Sequence, residues 1–577
     1  MAQSDLAKSD HAAGIDVPVV IAGAGPVGLL TSILLSRQGI RNLVLEKREQ
    51  INLLPRARGI NVRSVEILTN LDLGARLASE SLPPLWSQRF VYTETMAGEI
   101  VGVMPGNMAA GTVAAFSPCD YRVAAQDRLD PMLYEKAISC PLVEIKFRHE
   151  VAGFTDHGDR IGVVVRAGDG AETTLQARYL IAADGGSSRL RGLAGIGEAY
   201  HQIYNSFVAA FFHADLGRFT GDREGALIWT LAPGVEGVFH PLDGKTAWAA
   251  HIQFDPSREN PDTWSAETVV ARVRDMIGAP ADDKPDIDLH KHYRYTLTAS
   301  VSERLRKGRL ILAGDAAHRT LPYGGWGLNT GIHSAHNLAW KLGAVMRGEA
   351  PELLLDTYDG ERREAALVNC AFGKVNAGHV AKLMMALRQS ATPAERRALL
   401  AASRQYGNWT GLDLGIHYDG TEGRCAFVPD GVAAPAVENP VIDYVPHAKP
   451  GWRAPHLWVR TQAGGHRVST VELLDGGFVM LAGPQGQAWC DAARAIDGPP
   501  HILGYRVAAD GDLVPEHADI CALYGIAPDG AVLVRPDGHV AFRAPHTTAD
   551  PKAALRGALD QVLQRAPDPG HCGKGSR

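Results

Sequence analysis

The stretch Val17-Pro-Val-Val-Ile-Ala22 runs directly into Gly23-Ala-Gly-Pro-Val-Gly28, and together they decide the fold of this chain. An apolar run followed by a glycine turn predicts a buried strand that leads straight into a helix. We expect that helix to continue to about Gln38 and to stop at Gly39, and Asn42-Leu-Val-Leu-Glu46 is the next strand. Strand, turn, helix and strand in this order form one βαβ unit, which implies a parallel sheet.

The glycines of this unit have the spacing of a dinucleotide-binding turn. Gly23 permits the tight turn, Gly25 lets the backbone approach a pyrophosphate, and Gly28 lets the helix pack close to the strand. The helix N-terminus attracts the phosphate charge. Glu46 ends the second strand, where its carboxylate can accept a hydrogen bond from a ribose hydroxyl. A turn that binds nothing would leave this acid unexplained, so the unit predicts dinucleotide binding.

Two later strands also end in an acid and glycines. Asp184 follows an apolar strand and precedes Gly-Gly-Ser-Ser-Arg189, which taken alone is better explained as an N-capped turn. Asp315 ends Arg309-Leu-Ile-Leu-Ala-Gly-Asp315, where it can bond a ribose or ribityl hydroxyl. The glycine-rich loop at 322–331 then opens a long helix, whose first N–H groups can stabilise negative charge on a bound ring. A glycine-rich surface loop without a ligand is the alternative.

Composition excludes several classes of function. The formal charge is −6 with 45% hydrophobic and 21% charged residues, which gives no electrostatic footprint for nucleic acid or a membrane surface. The seven cysteines are widely spaced and form no CxxC, so neither a disulfide framework nor a metal site is expected. Residues 1–16 are polar and do not read as a signal peptide, so we expect a cytoplasmic protein.

A chain of 577 residues is too long for one core, and roughly three or four structural units are expected. Residues 198–295 are rich in aromatic, strand-like runs and predict a separate antiparallel sheet. Residues 352–405 are predicted to be helical, with Glu361-Arg-Arg363 on a polar face. Residues 406–450 are rich in Gly, Pro and Asp and predict a linker, and 451–565 alternate strands with short helices.

At this point the sequence resembles the para-hydroxybenzoate hydroxylase-type flavoprotein monooxygenases (class A). The resemblance rests on GAGPVG with Glu46, ADGGSSRLR at 183–191 and GDAAH at 314–318, in this order. PRARG at 55–59 and HNLAWKL at 336–342 are closest to the branch that hydroxylates phenols and aromatic polyketides. PGWRAPH at 450–456 resembles the thioredoxin-like C-terminal domain of that branch.

The resemblance implies an α/β fold of three domains. A Rossmann-like FAD-binding domain would occupy 16–197 and 296–405, with an antiparallel-sheet substrate domain inserted at 198–295. After the linker, a thioredoxin-like domain would occupy 451–565. The absence of a second GxGxxG implies that the reductant binds transiently in a groove. A monomer or a homodimer is expected.

The resemblance also implies which residues bind FAD. Contacts to the pyrophosphate, the adenosine end and neighbouring parts of the cofactor fall to Gly23, Gly25, Pro26, Val27, Gly28, Glu46, Lys47, Arg48, Arg56 and Gln126. The ribityl chain, the flavin ring and the place where flavin and reductant meet involve Asp184, Asp315, Pro322, Gly325, Gly327, Leu328 and Asn329.

In enzymes of this type NADPH or NADH reduces FAD, O2 adds at flavin C4a, and the hydroperoxide transfers oxygen to an activated aromatic ring. The substrate is then a phenolic or polycyclic aromatic molecule. Its pocket would be lined by residues such as Phe212, Trp229, Phe239 and Tyr323, although any one of them, taken alone, is more often a core residue. The carbonyl of Pro322 lies near the ring, and His240 or His251 is the candidate base for the phenol. Baeyer–Villiger or epoxidising chemistry, or a non-catalytic protein that binds FAD or an antibiotic, are the alternatives.

Overall fold

The computed structural model describes residues 14–106, 113–390, 392–462, 465–474 and 476–565. Strands are numbered in chain order. They are β1 Val17–Ala22, β2 Asn42–Glu46, β3 Gly59–Ile60, β4 Arg89–Thr93, β5 Ile100–Pro105, β6 Arg122–Val123, β7 Val143–Phe147, β8 His149–Asp156, β9 Ile161–Ala167, β10 Glu172–Ala182, β11 Glu198–His213, β12 Leu227–Thr230, β13 Gly237–Pro241, β14 Ala247–Gln253, β15 Asp288–Ser302, β16 Arg306–Lys307, β17 Leu310–Leu312, β18 His318–Arg319, β19 Trp458–Thr461, β20 Arg467–Ser469, β21 Phe478–Ala482, β22 Ile502–Arg506, β23 Leu513–Pro515, β24 Ala531–Val534 and β25 Val540–Ala544.

The α-helices are numbered in the same way. They are α1 Pro26–Arg37, α2 Val62–Thr69, α3 Gly74–Glu80, α4 Pro84–Ser87, α5 Gln126–Ser139, α6 Arg189–Leu193, α7 Gly217–Thr220, α8 Ala266–Ile277, α9 Trp326–Met346, α10 Asp356–Gln389, α11 Pro393–Ala402, α12 Arg404–Gly407, α13 Thr410–Leu414, α14 Gln487–Arg494, α15 Ile520–Tyr524 and α16 Pro551–Val562. Across the described ranges, no helix has the length and apolarity needed to cross a membrane.

The first sheet is built around β1, which is buried along its whole length. Its order is β16-β17-β10-β1-β2-β7, with β8 and β9 attached beside β10. β1 pairs in parallel with β2 and β10, and β10 pairs in parallel with β17. The register aligns Ala22 with Ala182 and Ala182 with Leu312, so all three strands end at one edge. The predicted βαβ unit is confirmed, and the three acid-and-glycine motifs meet at this edge.

The second sheet has the order β18-β15-β11-β14-β13-β12-β4-β5. It differs in three ways from the antiparallel sheet expected within 198–295, the first being that β18 pairs with β15 from outside this range. Strands β4 and β5, from residues 89–105, complete its edge, and β4 pairs in parallel with β12. Strand β15 also continues to Ser302. The pairing of β4 with β12 joins segments far apart in sequence, which strand periodicity does not reveal. The domain boundaries proposed from the sequence stay a prediction.

The C-terminal sheet has the order β22-β21-β24-β25. β21 and β22 are parallel and are connected through α14, whereas β24 pairs antiparallel with both β21 and β25. Helix α16 follows the last strand. This is the thioredoxin-like arrangement, as the resemblance implied. Cys490 on α14 and Cys521 on α15 are free thiols, as are all six cysteines within the described residues.

Helix α10 carries charged side chains into the interior. The prediction that Glu361-Arg-Arg363 lies on a polar face is wrong for Glu361 and Arg362, which are both 0% exposed. The Glu361 carboxylate accepts hydrogen bonds from Lys341 Nζ on α9 at 2.7 Å and from both terminal nitrogens of Arg535 at 2.7 and 2.9 Å. It also accepts the backbone N–H of Ala426 at 2.7 Å. The charge is therefore buried but fully satisfied.

These contacts join four parts of the chain at one carboxylate. Burial alone would raise the pKa of Glu361, but Arg535 and Lys341 hold that pKa down at about 2. Asp537 completes the cluster by accepting a hydrogen bond from Arg535 Nε at 2.9 Å and one from Asn337 at 2.9 Å. We name Lys341, Glu361, Arg535 and Asp537 the central ion cluster.

Replacement of Glu361 by Gln should destabilise the protein by about 3–5 kcal/mol, because it leaves Lys341 buried without its ion-pair partner and leaves Arg535 with Asp537 alone. Urea unfolding followed by circular dichroism measures this loss. The matched control is Asp491→Asn, which removes the exposed pair with Arg494 on α14 and should cost less than about 1 kcal/mol. Equal effects of the two substitutions would show that the central ion cluster does not stabilise the fold.

Candidate active site

The first glycine turn leaves an open space in front of α1. A Cβ atom on Gly23 would lie 2.5 Å from the carbonyl oxygen of Ala183, and one on Gly28 would lie 2.0 Å from the carbonyl oxygen of Gly23. A Cβ atom on Gly25, in contrast, would meet nothing within 4 Å. Gly25 is the N-cap of α1 and supplies no side-chain acceptor, so the first N–H groups of the helix face this space. The space fits a pyrophosphate.

Glu46 is fixed beside this turn. Its buried carboxylate accepts the backbone N–H of Ala24 at 2.9 Å and that of Arg48 at 3.0 Å. The side chains of Lys47 and Arg48 are exposed. Because each carboxylate oxygen can accept more than one hydrogen bond, Glu46 retains capacity for a ribose hydroxyl. Its predicted contact with the cofactor stays a prediction.

Asp315 lies next to the turn, and no described residue is its hydrogen-bond or ion-pair partner. Gly314 has a φ of 61°, and a Cβ atom there would approach Val27 to 3.1 Å, so the third motif packs directly on the first. The Asp315 side chain keeps exposed surface although it lies deep, and among the described residues it accepts no hydrogen bond. Burial raises its pKa, opposed by the charges of Arg319 and Arg56. A deep, unpaired acid fits a hydroxyl-rich ligand such as a ribityl chain.

Asp184 is used mainly by its own turn. Its carboxylate accepts the Ser188 hydroxyl at 2.6 Å and the backbone N–H of Leu190 at 3.3 Å, at the start of α6. Gln126 lies beside the PRARG segment at 55–59, because its backbone N–H donates a hydrogen bond to the carbonyl of Ala57 at 2.8 Å. The Gln126 side chain donates to Asp130 at 3.0 Å. Neither side chain has an obvious ligand contact, so their roles stay predictions.

The glycine-rich loop presents backbone groups rather than side chains. The exposed Pro322 has a carbonyl that accepts the N–H of Gly325 at 3.1 Å, and Gly325, with a φ of 71°, is the N-cap of α9. Gly327 and Leu328 lie in the first turn of α9, where the N–H groups have no helical partner. The resemblance assigns these amides to the flavin pyrimidine, and that role stays a prediction.

Asn329 braces this loop with its side chain. Its Oδ1 accepts the N–H of Asn61 at 3.0 Å, and its Nδ2 donates to the carbonyls of Gly59 and Gly325 at 3.0 and 2.6 Å. The Asn61 side chain in turn donates to Asp413 in the linker at 2.9 Å. The side chain of Asn329 is therefore occupied, and only its backbone remains for a ligand.

The second sheet turns a series of aromatic rings toward this loop. Ring centroids lie 6.0 Å apart for Phe207 and Tyr295, 5.4 Å for Tyr295 and His251, and 4.4 Å for His251 and His240. Two further rings extend the row, and we name the whole set the aromatic strip: Phe207, Phe211, Tyr293, Tyr295, His251 and His240. Trp229 lies on the same face, since it pairs with Val238, which pairs with His251.

Phe212 and Phe239 lie on the opposite face. Side chains alternate along a strand, and Phe212 and Phe239 point to the core that includes Val273 and Met276 of α8. They are 1% and 0% exposed. The structure thus does not bring these two predicted pocket residues to the aromatic strip, because α8 covers their face.

Four rings of the aromatic strip keep accessible surface, and we name the space in front of them the cleft: His240, His251, Tyr293 and Tyr295. His240, His251 and Tyr295 lie deep in the protein yet are only half-buried. Tyr323, from the glycine-rich loop, lies close enough to Tyr295 to add to the raised pKa that burial gives that tyrosine. The cleft is therefore shared by the second sheet and the loop that the resemblance assigns to the flavin.

Both histidines of the strip are neutral. Burial, reinforced by the charge of Arg58, lowers the pKa of His251 to about 3 and that of His240 well below its usual value. His251 Nδ1 is hydrogen-bonded to the hydroxyl of Tyr295 at 2.5 Å. A neutral imidazole can accept or donate a hydrogen bond at its other nitrogen, but it resists full protonation.

Sequence reasoning missed Tyr295 and the role of Arg58. Tyr293 and Tyr295 alternate along β15 in the same period as Phe207 and Phe211 along β11, a signal that was present in the sequence. Arg58 is the second arginine of PRARG. The sequence does not show that its guanidinium contacts the second sheet, because the contacting residues, Ala226 and Pro241, are far along the chain.

Comparison with known proteins gives matches along the chain. A family model described as an FAD binding domain matches residues 16–371, and one described as the C-terminal part of aromatic-ring hydroxylases matches residues 447–566. A 4-methyl-5-nitrocatechol 5-monooxygenase from Burkholderia sp is 33% identical over 96% of this chain and 98% of that protein. An aklavinone 12-hydroxylase from Streptomyces purpurascens is 34% identical over 96% of this chain and 100% of that protein.

Solved structures show the same similarity. The flavin-dependent monooxygenase PieE, in complex with FAD and substrate, is matched with a TM-score of 0.87 at 29% identity, over 96% of this chain and 100% of that chain. An aklavinone-11 hydroxylase, in a ternary complex with FAD and aklavinone, is matched with a TM-score of 0.80 at 31% identity, over 96% and 99% of the two chains.

Replacement of Asp315 by Ala should yield protein that is largely free of flavin, because it removes the unpaired acid beside the glycine turn. Flavin occupancy is measured from the visible absorbance of the purified protein. The matched control is Asp356→Ala, which removes an exposed partner of Arg306 and should leave occupancy unchanged. Full occupancy in the Asp315→Ala variant would contradict the placement of this acid at the cofactor.

Proposed function

Since this chain belongs to the FAD-dependent aromatic-ring hydroxylases, a family of flavoprotein monooxygenases, we propose that its substrate is a polycyclic phenol held along the aromatic strip. Bound FAD supplies the redox chemistry, with NADPH or NADH and O2 as co-substrates. The residues of the chain then have three tasks, which are to hold the cofactor, to orient the phenol and to exclude water. The row of rings in the cleft is the observation that carries this proposal.

The cofactor fits the edge where the three motifs meet. The open space before α1 would hold the pyrophosphate, and Asp315 would accept a hydrogen bond from the ribityl chain. The first N–H groups of α9, at Gly327 and Leu328, would bond the flavin pyrimidine. In this arrangement the flavin ring would lie between the glycine-rich loop and the cleft.

The extent of the aromatic face favours a substrate with fused rings. From Tyr295 on β15 the face crosses β11, β14 and β13 to Trp229 on β12. Neighbouring strands lie about 4.8 Å apart, so four steps span about 19 Å. A single ring would cover only a small part of this width, whereas a flat polycyclic molecule would stack on several rings at once.

The polar end of the strip would orient the phenol oxygen. His251 uses Nδ1 for Tyr295, and its Nε2 makes no hydrogen bond to the described residues. The hydroxyl of Tyr295 selects the tautomer, and so decides whether Nε2 accepts from or donates to a substrate oxygen. His251 is thus proposed to position the phenol, because its lowered pKa does not suit the storage of a proton.

We expect His251→Gln and Tyr295→Phe to lower substrate-dependent NADPH oxidation at least tenfold on a fused-ring phenol such as 1-naphthol or alizarin, with flavin occupancy unchanged. The expected loss corresponds to removing one orienting hydrogen bond of about 1.4 kcal/mol or more in the transition state. Oxygen uptake and product mass are measured together, and the product should gain one oxygen without ring expansion.

The matched control is His213→Gln, an exposed histidine at the end of β11, which should retain wild-type rates. Turnover of phenol itself at the rate of the fused-ring substrates would contradict the polycyclic assignment. A product with oxygen inserted into a ring would indicate Baeyer–Villiger chemistry instead. No oxidation with any phenol, in protein that carries flavin, would point to a binding protein.

A further inference from the structure

We infer that Arg58 makes the cleft bind its substrate as the phenolate, and that this residue is therefore a catalytic group that sets the ionisation of the substrate. The inference deepens the proposed function and rests on it. It is carried by a separate observation, which is a deep guanidinium that has no carboxylate partner among the described residues. Neither histidine of the cleft supplies a positive charge in its place.

Three other deep arginines of this protein are paired with acids. Arg63 bonds Glu66 at 2.8 Å, Arg453 bonds the same carboxylate, and Arg535 bonds Glu361 at 2.7 Å. A buried charge is costly unless an opposite charge or a full set of hydrogen bonds offsets it. These three arginines follow the rule, and Arg58 departs from it.

Arg58 is only partly satisfied by the protein. One terminal nitrogen donates to the carbonyl of Pro241 and the other to the carbonyl of Ala226, both at 2.9 Å. Within the described ranges no carboxylate lies within 4.0 Å of its side chain, and Nε has no acceptor. A guanidinium has five N–H donors, so three remain for a ligand. The side chain is half-buried, which leaves it reachable from the cleft.

Arg362 shows that an arginine without an acid can still use each of its three nitrogens. Its three nitrogens donate to the hydroxyl of Ser334, the hydroxyl of Tyr418 and the carbonyl of Thr330, at 3.1, 3.0 and 3.3 Å. Arg362 is also 0% exposed. Arg58 differs in both respects, because its Nε makes no hydrogen bond to the described residues and its side chain keeps accessible surface.

The groups that face Arg58 leave its charge uncompensated. They are His240 and His251 from the second sheet and Tyr121 from the segment before β6. Burial lowers the pKa of Arg58 to about 10, although Tyr121 acts against this shift. Behind Tyr121, burial raises the pKa of Asp413 to about 7, so this acid is a weak counter-charge near neutral pH.

An anionic ligand oxygen would supply the missing counter-charge. When a phenol binds as phenolate, the O–H bond breaks heterolytically and its proton leaves to solvent through the open cleft, without any change in oxidation state. An opposite charge within about 4–6 Å lowers the pKa of such a group by roughly 1–3 units. The phenolate ring is richer in electrons than the phenol, which favours attack by an electrophilic oxygen.

The test uses the flavin-loaded protein with alizarin, a fused-ring phenol whose colour changes when it ionises. Difference spectra across a pH series give the apparent pKa of the bound dye. In the wild type this pKa should lie below that of free alizarin. In Arg58→Met it should rise by about one unit or more, which corresponds to a tenfold loss of phenolate binding. Arg58→Lys, which keeps the charge, should restore most of the shift.

A second measurement uses the wild type alone, so that it does not depend on the folding of a variant. Alizarin should bind more tightly relative to its dimethyl ether as the pH rises toward the pKa of the free dye. A ratio that falls or stays constant with pH would overturn the inference, as would an unchanged dye pKa in Arg58→Met. Failure of the wild type to bind any fused-ring phenol would instead overturn the proposed function.

Discussion

The buried carboxylate of Glu361 fixes the position of α9. Its carboxylate connects Lys341 on α9, Arg535 in the C-terminal unit and the backbone of Ala426 in the linker, and all of these groups are shielded from water. Because a buried charge that loses its partner is costly, each partner fixes the position of the others. The cluster therefore anchors α9, and the first turn of this helix is the part that we propose faces the cofactor.

Local patterns of sequence predicted the parts of the site that are themselves local. The glycine turn, Glu46, Asp184 and Asp315 each sit at the end of an apolar strand, and parallel pairing brought these ends to one edge. Local patterns did not predict contacts between residues that are far apart in sequence. From the sequence, Glu361 was predicted to lie on a polar helix face, because its partner Arg535 lies far along the chain. Strand β4 joins the second sheet by pairing with β12, which is also far from it in sequence.

Two of the four predicted pocket residues, Phe212 and Phe239, lie away from the aromatic strip for a different reason. Along β11 the sequence offers aromatic residues at consecutive positions, and strand alternation sends Phe211 and Phe212 to opposite faces. Which face looks toward the cofactor depends on α8, which covers Phe212 and Phe239 and leaves the other face open. Period-two patterning separates the two faces, but it does not say which of them is covered. The histidines on the open face are neutral, and the guanidinium beside them is that of Arg58.

The bracing of α9 also bears on how the protein is made. Chains emerge from the ribosome N-terminus first, and domains fold as units as they appear. Here the glycine turn and both strands of the βαβ unit are synthesised early, but Asp413, which supports Asn61 and Asn329, and Arg535, which neutralises Glu361, appear late. Until the segment that carries Arg535 has been synthesised, the nascent cofactor site therefore lacks these two supports.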